Sequence, residues 1–381
     1  MPWDNGYAAS LKRWSVAAEI QSVSLTLLVE VMSKLIPFQA VVVRPTCAEE
    51  VSAAVKFAVA NKLPLAVCDG GHSTSEMSSS EGMVVQLGNM RNVEIGQAMM
   101  TVSSGGGCLW ADVDSALEAC GLATVGGAVN HTGMVTSDGS ILEASESQNP
   151  DLFWAVRGAG AQIGVVTRFT SRVYTQGQVW SGTLTFIPDK LPELVAFANE
   201  FHNRDQREGH CLAIAVGYAP DGATRILLHH SALPWARVGS ESVFFEPSQH
   251  RIHHGLHKYD VHCAGQHSAE PNGEYGIRRL QGSSNVTMPL HSAVFQQMAD
   301  KIWSFHDMHP DVKVCALAIE LFSTHKLREV PQNAAAYANR GEYYDAITVF
   351  GWTNPALETM RTGTSCKRTR VRGSWGHGSK E

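Results

Sequence analysis

Apolar residues fall into short runs with helix-periodic stretches between them in the first half of the chain, and into longer strand-like runs in the second. Gln39–Val43 is β-branched and stops at Arg44-Pro45, which predicts a strand. Thr46-Cys-Ala-Glu49 has the spacing of a capping box. Val51, Val55, Ala58 and Val59 share one face of the helix it opens. Leu63–Val67 is the next apolar run, so a β-α-β unit is predicted. Met83–Leu87, Met99–Ser103 and Ser140–Glu143 read as further strands, and Leu109–Cys120 as a second helix closed by Gly121. Asn149-Pro-Asp-Leu-Phe-Trp-Ala reads as a short capped helix. Val165–Tyr174 sets Arg168, Thr170 and Arg172 opposite Phe169 and Val173, as a strand leaving the first domain.

The pattern changes after Tyr174. Val179–Ile187 is strand-like and Leu191–Asn203 helical, and Cys211–Tyr218 with Arg225–His230 predicts a hairpin around Pro220-Asp-Gly222. The expected fold class is α+β, with a domain boundary near residue 175. Residues 1–38 form an N-terminal helical segment with an atypical insertion at Ile20–Phe38. Residues 39–175 and 176–355 form two domains, and 356–381 a tail whose Arg, Gly, Ser and Thr predict disorder.

Composition narrows the function classes. The 381 residues are 44% hydrophobic and 17% charged with net charge −6, and no long basic run occurs before the tail, so nucleic-acid binding is not expected. The cysteines are dispersed without a CxxC pair, so reduced thiols are expected rather than a disulfide framework or a cysteine zinc site. No signal peptide is read at Met-Pro-Trp-Asp-Asn-Gly-Tyr. Val23–Phe38 is too short and, with Glu30 and Lys34, too charged to span a bilayer. The expectation is a cytoplasmic or other intracellular protein without a membrane partner. His253 and His257, in a cluster with His250, His254, His262 and His267, have i, i+4 spacing, but no ligand completes a metal site and a solvated loop is preferred. No metal is expected. There is no GxSxG elbow.

Two glycine clusters fail the dinucleotide-binding pattern. Gly158-Ala-Gly160-Ala-Gln-Ile-Gly164 has one residue too many and lies between a helix and a strand, and Trp110 takes the third glycine position after Gly105-Gly-Gly107. The loop Asp69-Gly70-Gly71-His72-Ser73 is the better anion cradle, because adjacent glycines let the backbone turn and bring N–H groups together. Taken alone, Gly-Gly-His reads as a hairpin turn with an incidental histidine.

The order of motifs changes that weighting. Arg44-Pro45, Pro64-Leu-Ala-Val, Gly70-Gly71-His72-Ser73, Gly105-Gly-Gly107 with Trp110, Ala123-Thr-Val-Gly-Gly127, Asn149-Pro-Asp-Leu-Phe-Trp-Ala155 and Gly164-Val-Val-Thr167 follow one another. Phe322, Tyr337-Ala-Asn-Arg340, Tyr343-Tyr344 and Trp352-Thr-Asn-Pro355 continue the series. Over residues 39–355 the chain resembles the berberine-bridge-enzyme-like FAD-linked oxidoreductases of the vanillyl-alcohol-oxidase type, in the fungal secondary-metabolism branch. The resemblance implies a two-subdomain PCMH-type FAD-binding domain followed by an antiparallel-sheet substrate domain. It implies FAD bound 8α-histidyl through His72, with Asp69, Gly70, Gly71 and Ser73 at the pyrophosphate. Gly126, Gly127, Thr132 and Gly133 approach the flavin from another side, and Gly164, Val165 and Val166 contact it through main chain. Val129 stands where some members attach FAD through cysteine, so at most one covalent bond is expected.

The implied partners are a small-molecule natural product and O₂, with oligomeric state left open. Tyr343 and Tyr344 are candidate acid–base groups, set against a reading as aromatic packing under a sheet. The family's long Gly-rich stretch is missing after Gly133, which predicts unpaired strands and exposed cofactor surface. The family's returning C-terminal segment is also missing. A second reading is therefore a shortened or mis-spliced relative that binds no flavin and has no activity. A third is a carbohydrate oxidase on the same scaffold.

Overall fold

The computed structural model describes residues 12–13, 15–16, 41–71, 73, 77–177, 179–203, 210–219, 222–234, 251–259, 277–337, 339–354 and 357. Ile20–Phe38 and the tail beyond 357 lie outside them.

The first apolar run forms β1 (Val41–Val43) and the helix α1 (Ala48–Ala60) follows. The capping box closes one residue later than its spacing predicts: Glu50, not Glu49, accepts from the Thr46 amide at 2.7 Å and from its hydroxyl at 3.0 Å. Val51, Val55 and Ala58 are buried while Val59 is exposed. At about 100° per residue, position 59 has turned some 80° from position 51 and leaves the apolar stripe. Strands β2 (Leu65–Cys68) and β3 (Met83–Gln86) complete a parallel three-stranded sheet in the order β1-β3-β2. The β-α-β unit therefore leaves a gap that β3 fills. Its core joins Val51, Val55 and Ala58 to Met83, Val85 and Leu87.

The five-stranded sheet runs β4 (Val93–Gly96), β5 (Thr101–Gly105), β8 (Gly164–Thr175), β6 (Leu122–Thr136), β7 (Ile141–Ser145). The strand expected from Met99 begins only at Thr101, because residues 97–99 form a 3₁₀ turn and Met100 is left-handed. Helix α2 (Trp110–Glu118) is closed by Gly121, at φ +64°. Helix α3 (Pro150–Val156) starts after a left-handed Asn149 whose side chain donates to the Glu143 carbonyl instead of capping the helix. β8 is central in this sheet rather than an exit strand. β6 is one fifteen-residue strand paired with β8 over most of its length and with β7 at its end. The expectation of unpaired strands after Gly133 is thus overturned: the chain passes directly into Met134 and continues the ladder.

Strand β9 (Val179–Phe186), helix α4 (Leu191–Asn203), β10 (Cys211–Tyr218), β11 (Arg225–Pro234), β12 (Arg251–Tyr259), β13 (Arg278–Val286), helix α5 (Ser292–Met308), β14 (Val312–Phe322), helix α6 (His325–Glu329) and β15 (Tyr344–Trp352) build the rest. The seven strands form one antiparallel sheet in the order β12-β9-β11-β10-β14-β15-β13. The predicted hairpin is present, with Gly222 at φ +69° in its turn. His253 and His257 lie on β12, paired to Thr185 and Ser181, which corrects the loop reading. Among the described residues no cluster of three or more His, Cys, Asp or Glu gathers as a metal site.

Helices α4 and α5 cover one face of this sheet. Leu212, Ile214 and Val216 of β10 and Leu317, Ile319 and Leu321 of β14 meet Leu194, Ala198, Phe295 and Trp303 there. Side chains alternate along a strand, so Ala213, Ala215, Ala316, Ala318, Ile347 and Val349 belong to the opposite face, where they stay half-buried.

Candidate active site

The three parallel strands end on one side, where an α/β-type sheet offers its ligand crevice. The loop after β2 begins there with Asp69. Gly71 is buried at φ +67°, a left-handed turn that favours glycine. His72 itself lies outside the described residues. The Leu87 amide donates to the Cys68 carbonyl at 2.8 Å, binding the loop after β3 to the start of the Gly-Gly turn. Gly106 donates to the Thr167 carbonyl at 2.8 Å, and a Cβ on it would fall 2.2 Å from the Val166 carbonyl oxygen. Only a glycine permits that backbone contact. Gly105-Gly-Gly107 thus seats the start of β8 beside the loop of β3.

The implied cofactor contacts are therefore partly gathered. Gly164, Val165 and Val166 pair with Thr136, Val135 and Met134, and Gly133 and Thr132 follow on the same ladder opposite Arg168 and Phe169. Gly126 and Gly127 sit farther along β6, where the register to β8 shifts between Thr124 and Val129. From Gly127 to Gly133 is about 20 Å of extended strand, so the two groups approach from separate points.

The charges around the turn are coupled. Arg91 grips Asp112 through Nε at 2.9 Å and Nη2 at 2.5 Å. Burial opposes ionisation of Asp112, but the Arg91 guanidinium and the Leu109 amide hold its carboxyl below the usual carboxylate range. Burial pushes Asp69 up to about 6, with Asp112 adding to the rise and the Gly70 amide and Arg91 opposing it. Burial also pushes the Cys68 thiol up.

The seven-stranded sheet meets this region through the loop between α6 and β15. Trp154 Nε1 donates to the Asn333 carbonyl at 2.7 Å and Arg157 Nη2 to the Ala334 carbonyl at 2.8 Å. The Ala336 and Tyr337 amides return bonds to the Trp154 and Arg157 carbonyls at 3.1 and 3.0 Å. Arg340 braces the loop from inside by donating to the Gln332 and Tyr337 carbonyls. Motifs far apart in the chain, at 149–155 and 337–340, thus belong to one docking contact.

The two tyrosines part company. Tyr344 faces the helices in the apolar layer, 2.9 Å from His202 Nδ1. Tyr343, one residue earlier, is half-buried and donates to Asn339 Oδ1 at 2.6 Å. On the face opposite α4 and α5 the register aligns Thr183, His230, Ala213, Glu320, Asp345 and Asn285 in one row across six strands. Glu320 and Asp345 are direct cross-strand partners, and Asn285 Nδ2 donates to Asp345 Oδ1 at 3.0 Å. Like charges set opposite each other oppose sheet stability. Sequence reading missed this row. The only signal was the alternation Ala316-Leu-Ala-Ile-Glu320, which says nothing about which strand lies alongside.

A glycine-bearing turn at the mouth of a small parallel sheet, beside a helix-backed antiparallel sheet, is the arrangement of a PCMH-type FAD-binding fold. Residues 39–137 match the FAD binding domain family. The FAD-linked oxidoreductase pgmH of Aspergillus terreus is 32% identical over 358 residues, covering 85% of this chain and 73% of that protein. In fold the chain is similar to 6-hydroxy-D-nicotine oxidase from Arthrobacter nicotinovorans, with TM-score 0.72 at 20% identity over 94% of this chain and 82% of that one. BBE-like #28 from Arabidopsis thaliana gives TM-score 0.72 at 14% identity over 95% and 80%. The chain belongs to the FAD-linked oxidoreductases and has a berberine-bridge-enzyme-like fold. No described helix is long and apolar enough to cross a membrane.

Proposed function

We propose that the chain oxidises a small, largely apolar natural product on the face of the seven-stranded sheet opposite α4 and α5, with FAD held by residues 39–175 and the substrate by 176–355. The observation that carries this reading is the Glu320–Asp345–Asn285 row on a floor of small side chains. Ala213, Ala215, Ala316 and Ala318 bring short side chains to that face, and Ile347 and Val349 bring apolar ones. A repulsive carboxylate pair set directly across adjacent strands breaks a local stability rule, as functional sites do. Glu320 accepts the proton that the substrate O–H or N–H loses as the adjacent C–H is oxidised. Asp345, held by Asn285, orients that group. FAD, when bound, supplies the two-electron acceptor, and O₂ takes the electrons onward to give hydrogen peroxide.

The residues around the turn fit the cofactor. Gly71 takes a left-handed φ of +67° that favours glycine, and a Cβ there would come tightly against Arg13 Cδ at 3.1 Å. The Gly70–Ser73 amides receive the pyrophosphate. Main chain at Gly126, Gly127, Thr132, Gly133 and Gly164–Val166 faces the ring system, and His72 carries the single covalent bond. The absorbance spectrum of the purified protein, with a peroxide-release screen over phenols, benzylic alcohols, amines and sugars, tests the function. Flavin bands near one per chain and peroxide from an apolar substrate are expected. A colourless folded protein defeats the reading in favour of the inactive relative, and turnover of sugars alone moves the substrate class to carbohydrates.

Asp69 adds a pH signature. Its carboxyl and the pyrophosphate are both negative, so FAD binding favours the protonated acid and raises its pKa above the free value of about 6. Affinity is then highest below that value and falls as pH rises through it toward the bound-state pKa. Asp69→Asn removes the step and tightens binding near pH 8 by about tenfold, the worth of one unit of pKa coupling. Titration of FAD into a His72→Ala protein, which cannot form the tether, measures it. Affinity that stays flat between about pH 5 and 8 with Asp69 present counts against the coupling.

A further inference from the structure

The seven-stranded sheet is tied to the rest of the chain at its β13 edge. There Ser15 Oγ donates to the Arg279 carbonyl at 3.1 Å, while Arg13 Nε and Nη2 donate to the Ser78 carbonyl in the loop after β2 at 3.0 and 2.9 Å. Another tie is the docking of residues 333–337 on α3, and it stands between the two halves of the proposed site. Only a 3₁₀ turn at Gly160–Gln162 separates the end of α3 from Gly164, the first of the main-chain flavin contacts proposed on β8. On the other side the docked loop joins β14, which carries Glu320, to β15, which carries Asp345.

The loop meets α3 as a closed unit. Gln332 Nε2 donates to the Arg340 carbonyl at 2.7 Å, and Arg340 Nη1 returns a bond to the Gln332 carbonyl at 3.3 Å. Ala335 is buried within the docked segment. A Cβ on Gly158 would collide with the Tyr337 backbone, so helix end and loop meet main chain to main chain. Asn339 Oδ1 accepts from the Tyr343 hydroxyl at 2.6 Å, joining the closed unit to the residue before β15. A continuous series of contacts thus runs from α3 to the strand of Asp345, whose cross-strand partner is Glu320.

Domains within one chain move relative to each other unless their interface holds them. Misplacing reacting groups by about 1 Å costs about 10²-fold in rate. Hydrogen bonds are directional where apolar burial is not, so a polar contact is suited to setting an angle. We propose that Trp154 and Arg157 are positioning residues: by gripping residues 333–337 they set Glu320 and Asp345 at their working distance from the flavin. The assignment rests on the reading of the carboxylate row given above.

The test uses the flavin-loaded full chain carrying Trp154→Phe, Arg157→Met or both. Phenylalanine keeps an aromatic ring and loses the donor to Asn333, and methionine keeps an unbranched stem and loses the donor to Ala334. In the double variant the Ala336 and Tyr337 amides are expected to exchange hydrogen about tenfold faster or more, with flavin content unchanged. Anaerobic flavin reduction, with the substrate found by peroxide release, is expected to slow about tenfold in each single variant and about 10²-fold in the double. Reoxidation by O₂ uses neither carboxylate and is expected to stay within about threefold of wild type. In a Glu320→Gln background the two substitutions are expected to slow reduction by no more than about threefold, because the acceptor they place is gone. Reduction within about threefold of wild type in the double variant, equal slowing of reduction and reoxidation, or full additivity with Glu320→Gln overturns the proposal. If the double variant does not fold, the single variants decide by the same criteria. Wild-type reduction rates in Glu320→Gln alone defeat the carboxylate reading and this inference with it. Slow reduction in Glu320→Gln beside wild-type rates in the double variant defeats the positioning role only.

Discussion

Acid-precipitated His72→Ala protein is expected to be colourless, while the wild-type pellet keeps about one flavin per chain and gives a fluorescent band on a denaturing gel. Gly71 adopts a left-handed conformation in a buried position, directly before residue 72. Arg13 packs against that turn, and the Leu87 amide fixes the Cys68 carbonyl behind it. The turn that leads into residue 72 is thus fixed, and a tether to one ring position calls for a fixed anchor. The folded variant still binds FAD reversibly, because main-chain and apolar contacts remain. Its bound flavin loses the electron-withdrawing imidazole, so its potential falls and turnover drops by about tenfold, near 1.4 kcal/mol of barrier. Flavin retained in the variant pellet would place the tether on another residue. A colourless wild-type pellet from a yellow protein would mean there is no tether at all.

Much of the framework was legible because local signals were strong. Leu191–Asn203 was read with both its boundaries, since its apolar stripe and flanking breaks agree. The β10–β11 hairpin followed from the glycine turn between two apolar runs. β4 escaped because Val93-Glu-Ile-Gly96 is four residues long with one exposed acid. β6 escaped for the opposite reason: its glycines and polar residues carry little strand propensity, and it is held by neighbours on both sides. Sheet order was not readable, so β8 passed for an exit strand when it is the centre. At the site, the Gly-Gly-His turn stood out because its chemistry is contiguous. Glu320 and Asp345 did not, since their pairing depends on how residues 323–343 return the chain. Arg13 lies far in sequence from the loop it supports and has no periodic pattern around it.

Glu320→Gln is expected to slow anaerobic flavin reduction by about 10²- to 10⁴-fold with the substrate found by peroxide release. Glutamine keeps the length of the side chain and can still hydrogen-bond, but it cannot take a proton. Glu320 is exposed on β14, directly across from Asp345. No described ion pair neutralises either carboxylate, and Asn285 engages only Asp345. Removing one charge relieves the repulsion between them, so the variant should be unchanged or more stable by about 0.2–1 kcal/mol. A loss of rate with a rise in melting temperature and full flavin content cannot come from a damaged fold. Asp345→Asn should act differently. It keeps the contact with Asn285 but weakens the grip on the substrate group, raising KM more than it lowers kcat. Tyr344→Phe, which removes only a hydroxyl shared with His202 in the helix-packed layer, should leave the rate near wild type. If Glu320→Gln reduces flavin within about threefold of wild type while Tyr343→Phe does not, the proton acceptor is the tyrosine beside Asn339 and the carboxylate row only shapes the pocket.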